Sequence, residues 1–186
     1  MMLREKPKPM IILETERLIL RELPADDAPF VLTLLNDPSW LRFIGDKGVR
    51  TLDDARAYIE RGPKAMYARE GFGLWLTALK VDDTPIGLCG LIKRDTLEDV
   101  DIGFAFLPAY AGQGLAYEAA AATLAYGRDR VGLDRVVAIT AIDNTRSIRL
   151  LERIGLTFER RIPFPPDGAE LNLFGVALRP AQRSAL

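Results

Sequence analysis

The chain has 186 residues, a formal net charge of −1, a single cysteine and no histidine. That length suits one domain around one sizeable core, and an apolar share of 48% argues against disorder. Balanced charge gives no sign of a nucleic-acid groove or a membrane surface. Cys89 alone cannot form an intramolecular disulfide, and the lack of histidine removes the commonest metal ligand and general base, so no metal is expected. No apolar run reaches the length of a membrane span and no secretory signal is visible, so a cytoplasmic location is expected.

Residues 1–10 read as a flexible lead-in, 11–180 as a single domain and 181–186 as a tail. Arg17 to Leu23 alternates apolar and charged residues as a half-buried strand does. A helix follows from Asp26 to Leu35, with Asp37-Pro38 as its stop. Thr51-Leu-Asp-Asp54 has the form of a capping box and opens a helix to about Arg69, which Gly62-Pro63 should kink or split. Phe72 to Lys80 and Pro85 to Arg94 flank a turn at Asp82-Asp83-Thr84 and read as a hairpin. Then come a strand from Asp99 to Leu107, ended by Pro108, a helix from Leu115 to Val131, and an apolar strand from Arg135 to Ala141. A helix from Asn144 to Ile154 meets Gly155 as a left-handed cap. Two closing strands, Thr157 to Ile162 and Glu170 to Leu178, flank the turn PFPPDG. The order β-α-α-β-β-β-α-β-α-β-β makes a mixed α/β (α+β) sheet with helices on its faces.

The seam between the strand ending at Leu107 and the helix starting at Leu115 reads PAYAGQG. Glycines there let backbone N–H groups approach an anion without a Cβ in the way, at the positive end of a helix. A Walker loop needs lysine and serine or threonine after the glycine, whereas Leu115 and Ala116 follow Gly114. A dinucleotide fingerprint needs a third glycine where Tyr117 stands. Both motifs fail, and a plain tight turn is the alternative.

Four motifs then occur in order: Thr15-Glu-Arg-Leu with Arg21 in the opening strand, a strand ending in Pro108, the small-residue loop Ala111 to Ala116, and a helix with Asn144, Ser147, Glu152 and Gly155 at fixed spacing. Together they resemble the GNAT family of N-acetyltransferases over about residues 11 to 178, most of all the branch that includes the ribosomal-protein alanine and serine acetyltransferases. The resemblance implies a mostly antiparallel sheet and acetyl-CoA lying between strands 99–107 and 135–141. Its pantetheine arm would pair near Phe104, Ala105, Phe106 and Leu107. Its diphosphate would rest on Ala111, Gly112, Gln113, Gly114, Leu115 and Ala116. Asn144 would contact the pantetheine amides, a role compatible with capping its helix. The resemblance also implies direct transfer in a ternary complex to a primary amine, either a protein N-terminus or a small molecule, and a homodimer.

The chain departs from the family pattern twice. Ala111 stands where glutamine or arginine is frequent, and Leu151 stands where a tyrosine often serves as general acid. Ser147 is then the candidate acid for the leaving thiolate, although a serine so near a helix start can also bond backbone. The developing oxyanion needs donors, expected from backbone N–H groups near Phe104 to Phe106 where a strand bulge would free them. The attacking amine must lose a proton. Asp101 is the candidate base or ammonium-binding group, with Glu98 and Asp99 nearby, and a solvated strand end as the alternative. Trp40, Phe43 and Trp75 are candidates for the acceptor wall, or for the core. Cys89 reads as a buried thiol and Glu118 as a surface residue favoured by the helix dipole. An acetyl-CoA sensor without catalysis is the alternative function. A general nucleotide-binding domain is disfavoured by the failed motifs.

Overall fold

The computed structural model describes residues 9–165 and 168–179. The tail at 181–186 and all of the lead-in but Pro9 and Met10 lie outside these, as do residues 166–167 of the PFPPDG turn.

The opening strand is the second arm of a hairpin. β1 (Ile11–Glu14) pairs antiparallel with β2 (Leu18–Arg21). Thr15 closes the turn between them. Its N–H donates to the Leu18 carbonyl at 2.9 Å and its hydroxyl accepts from Leu18 N–H at 3.0 Å. The sequence reading lacks β1 because Ile-Ile-Leu is a short apolar run without alternation, which fits strand and helix alike.

Four helices follow, α1 (Ala28–Leu35), α2 (Pro38–Phe43), α3 (Leu52–Ile59) and α4 (Ala65–Glu70). Pro38 does more than stop α1. It opens α2, capped by Asp37, which accepts from Ser39 N–H at 2.9 Å; proline suits a first turn because its missing N–H is not needed there. The capping box at α3 is complete, with Asp54 N–H on the Thr51 hydroxyl at 3.1 Å and Thr51 N–H on the Asp54 carboxylate at 2.9 Å. The expected break at Gly62-Pro63 is a π turn over Glu60–Lys64, where the proline lacks the N–H a regular ladder needs.

The remaining elements are β3 (Leu74–Leu79), β4 (Pro85–Ile92), β5 (Asp101–Phe106), α5 (Leu115–Tyr126), β6 (Arg135–Ala141), α6 (Thr145–Arg153), β7 (Thr157–Phe164) and β8 (Ala169–Ala177). The strands form one sheet in the order β1-β2-β3-β4-β5-β6-β8-β7. Every neighbouring pair is antiparallel except β5 and β6.

Strand alternation sends successive side chains to opposite faces. Leu76, Leu88 and Ala105 join a cluster under α1 and α3 with Val31, Leu35 and Ile59. Trp75, Cys89 and Phe104 join the other cluster, under α5 and α6, with Leu115, Ala119 and Leu151. Both faces of the sheet are thus covered, and the strand ends around β5 and β6 are left for function.

Candidate active site

The parallel pair β5–β6 holds at one register only, Asp101 opposite Val137, where Val137 N–H donates to the Val100 carbonyl at 3.0 Å. The side chain of Arg135 pins this closed end. Its Nε bonds Asp99 at 2.9 Å and its Nη2 bonds Glu159 at 2.7 Å. Beyond Asp101 the two strands diverge and a cleft opens between them.

The pairing of β5 with β4 decides which groups face that cleft. Leu107 N–H donates to the Ile86 carbonyl at 2.9 Å, so the odd-numbered residues of β5 turn their N–H groups toward β4. Phe104 and Phe106 therefore turn theirs toward β6, into the cleft. The register from Gly87↔Phe106 to Ile92↔Asp101 runs unbroken. The expected bulge in β5 is absent; the donors come free through the divergence of β6.

At the wide end, a 3-10 turn over Pro108–Tyr110 leads into the glycine loop. Gly112 has φ +76° and Gly114 has φ +77°, backbone shapes that disfavour other residues. Gly114 is the N-cap of α5 and supplies no side-chain oxygen. The first helical hydrogen bond runs from Glu118 N–H to the Gly114 carbonyl at 3.0 Å, so the N–H groups of Leu115, Ala116 and Tyr117 lie ahead of the ladder. Residues Ala111, Gly112, Gln113 and Gly114 are exposed, whereas the Leu115 side chain is buried and anchors the turn. The loop thus presents a run of backbone donors with the form of an anion cradle. A shallow groove of about 430 Å³ adjoins it, lined by Glu16, Arg17, Gly114, Tyr117, Glu118 and Ala121.

Asn144 and Ser147 stand at the start of α6, just after β6. The Asn144 side chain caps α6, accepting from Ser147 N–H at 3.3 Å, which leaves its NH2 group to donate elsewhere. The Ser147 hydroxyl is half-buried and has no hydrogen-bond partner among the described residues. Leu151 is 1% exposed in the core, so its position contributes packing only.

Asp101 is almost fully buried, and both of its oxygens lie 3.2 Å from Arg94 Nε. Burial pushes its pKa up to about 6, outweighing the opposing pull of Arg94. It shares a sheet face with Ala105 and Leu107, opposite Phe104 and Phe106. The Arg94 guanidinium also lies 5.8 Å from the centroid of the Phe164 ring. Asp99 belongs to the Arg135 network instead.

The three aromatic candidates are not brought together. Trp75 is core on the α5 face, edge-on to Tyr126 at 5.1 Å between centroids. Trp40 is buried on the opposite face, its indole N–H without a partner among the described residues. Phe43 alone sits half-exposed at a site edge. Arg42 lies 4.8 Å above its ring centroid and reaches Asp143, next to Asn144, at 3.0 Å. That pair joins α2 to the β6–α6 turn across 101 residues, a link that no local pattern in the sequence shows.

Glu118 differs from its expected role. It is three-quarters or more enclosed and accepts hydrogen bonds from Thr15, from Arg17 N–H at 2.8 Å and from Arg17 Nε at 2.7 Å. Burial alone would raise its pKa, but these donors outweigh it and hold the carboxylate below its ordinary range. Cys89 is fully buried against the Thr123 hydroxyl at 3.4 Å, and burial pushes its thiol up to about 12.

The family model described as the acetyltransferase (GNAT) domain matches residues 17–157. The chain belongs to this family. YnaD of Bacillus subtilis strain 168, an uncharacterized N-acetyltransferase, is 31% identical over 145 residues, 78% of this chain and 82% of that protein. A GNAT-family acetyltransferase from Bacillus anthracis superposes with a TM-score of 0.75 at 26% identity, covering 91% of this chain and 99% of that one. RimL, a ribosomal L7/L12 alpha-N-protein acetyltransferase solved in complex with coenzyme A, gives a TM-score of 0.77 at 18% identity over 90% of this chain and 98% of its own. At that identity the likeness to RimL is one of fold.

This acetyltransferase therefore brings two sets of free backbone donors to one cleft, those of Phe104 and Phe106 along its wall and those of the glycine loop at its wide end. No helix of the described residues is long and apolar enough to cross a membrane.

Proposed function

We propose that the protein transfers an acetyl group from acetyl-CoA to a primary amine by direct attack in a ternary complex. The observation that carries this reading is the cleft between β5 and β6 with unpaired donors along its length. A pantetheine arm needs amide partners, which Phe104 and Phe106 supply as an additional strand would find them, while Ala105 and Leu107 turn their N–H groups to β4. A diphosphate needs several N–H groups at a helix start, which residues 112–117 supply.

The amine nitrogen attacks the thioester carbon, the C–S bond breaks, and the thiolate leaves with a proton. Ser147, whose hydroxyl has no partner among the described residues, gives that proton and regains one from the attacking nitrogen, which sheds its second proton as the amide forms. The Phe104 or Phe106 N–H steadies the oxygen as it gains charge. Asp101, with a pKa of about 6, is ionised at neutral pH and takes up or holds the ammonium proton. The acceptor is a protein N-terminus or a small amine. RimL, which shares the fold, is described as acting on a protein α-amine.

The test is an acceptor screen with acetyl-CoA over free amines and peptides, read by mass spectrometry of acetylated product together with CoA release. Intersecting initial-rate patterns in the two substrates support a ternary complex; parallel patterns contradict it. A second reading, acetyl-CoA binding without catalysis, draws on Leu151 in the core and on Asp101 held by Arg94. It predicts binding and no acetylated product from any amine.

A further inference from the structure

The Arg17 side chain lies across the back of the glycine loop. Its Nη1 donates to the Gln113 carbonyl at 3.0 Å, while its Nε and its backbone N–H are held by the two oxygens of Glu118. Glu118 in turn takes the Thr15 hydroxyl. One arginine thus ties the β1–β2 turn, the first turn of α5 and the loop together.

A peptide group is planar and trans, so its carbonyl and the next N–H point in opposite directions. Fixing the Gln113 carbonyl toward Arg17 turns the Gly114 N–H away from Arg17. Without that hold the peptide can turn through ψ of Gln113 and φ of Gly114, and Gly114, at φ +77° and with no Cβ, opposes the rotation little. A rotated peptide would present a carbonyl oxygen, not an N–H, to an anion. Arg17 also neutralises Glu118, a carboxylate in the first turn of the helix whose N-terminus forms the cradle.

We infer that Arg17 is a positioning residue for the cofactor diphosphate. Held by Glu118, it sets the orientation of the Gln113–Gly114 peptide and so preorganises the anion cradle without touching the reacting atoms. This rests on the acetyl-CoA reading of the cleft and adds to it a specific device.

The test compares acetyl-CoA with S-acetylpantetheine, which has the same thioester but lacks the diphosphate and the 3′-phosphoadenosine beyond it, with S-acetyl-dephospho-CoA, which keeps the diphosphate, as a third ligand expected to follow acetyl-CoA. All three are titrated into wild type, Arg17→Ala and Arg17→Lys. Wild type should prefer acetyl-CoA. Arg17→Ala should lose about tenfold or more of acetyl-CoA affinity, the scale of one charge-assisted hydrogen bond, with S-acetylpantetheine affinity unchanged. Arg17→Lys keeps the charge but has a single nitrogen where arginine uses Nε and Nη1, so it should lose the preference too. Should Arg17→Ala not fold, Arg17→Lys carries the comparison. A retained preference in the folded variant, or an equal loss for acetyl-CoA and S-acetylpantetheine, overturns the positioning role. No preference in wild type overturns the diphosphate reading of the loop itself, and the role of Arg17 with it.

Discussion

Asp101 and Arg94 form an ion pair in which the carboxylate is 1% exposed and the guanidinium keeps 33% of its surface. One partner is sealed in the protein and the other opens to solvent beside Phe164. Losing the arginine would strand a buried charge, which is costly; losing the carboxylate would leave only a half-exposed cation.

Stability and activity should respond to Asp101 with opposite signs of pH dependence. Its pKa is raised from 3.8 to about 6 in the folded protein, so between these values the folded state binds more protons than the unfolded state. Stability from this group is then present at low pH and is lost as pH rises through the window to about 6, with no further change above. Asp101→Asn lacks this loss. Its melting temperature relative to wild type should climb from pH 4 to pH 6 and then level. A difference that stays flat across that range contradicts the raised pKa. The rate behaves inversely, because proton acceptance needs the ionised form. kcat/KM of wild type should fall below about pH 6, and Asp101→Asn should be slower at every pH above it.

Gly114→Asp separates cofactor binding from folding. Aspartate tolerates the left-handed backbone better than most residues, and the ideal Cβ position meets only the Arg17 guanidinium at 3.5 Å. The fold should therefore survive. The new carboxylate would lie against the Arg17 guanidinium, compete with Glu118 and the Gln113 carbonyl for it and add negative charge at the helix start, so acetyl-CoA affinity should drop by about tenfold or more, about 1.4 kcal/mol. Unchanged affinity in the folded variant would sink the loop assignment.

Ser147→Ala should lower kcat by about a hundredfold or more, the low end of general-acid effects of about 10²–10⁴, while acetyl-CoA affinity changes little. The mutation leaves the Asn144 cap intact, since that bond uses the Ser147 backbone N–H. A variant with full turnover would mean that the thiolate leaves without this hydroxyl.

Cys89 should resist thiol reagents in the native protein and react fully once the chain is unfolded. Its thiol is buried and its pKa stands near 12, so the reactive thiolate is scarce at neutral pH. Rapid native labelling would contradict the burial and reopen a nucleophilic role.

Much of this fold is legible locally. β6 runs over the expected Arg135–Ala141, and the capping box at Thr51 and Asp54 forms as its spacing requires. Motifs that reuse one turn or one strand are short-range, and the chain carries them in order. What escaped reading is long-range. Arg17 and Glu118 are 101 residues apart, as are Arg42 and Asp143, and no local pattern pairs them. Trp40 and Trp75 look alike as aromatic candidates until the pleat of β3 turns Trp75 to one face of the sheet and α2 packs Trp40 on the other. The free donors of β5 were expected from a bulge, yet they depend on where a parallel partner leaves the sheet, and strand register is not written in one strand.

The most direct measurement is calorimetric titration of the purified protein with acetyl-CoA, alongside ATP and NAD. Selective micromolar binding of acetyl-CoA is the predicted result, because only that ligand joins a diphosphate to an amide-bearing arm matched to both ends of the cleft. Equal binding of all three, or none, would contradict the assignment of the β5–β6 cleft as the acetyl-CoA site.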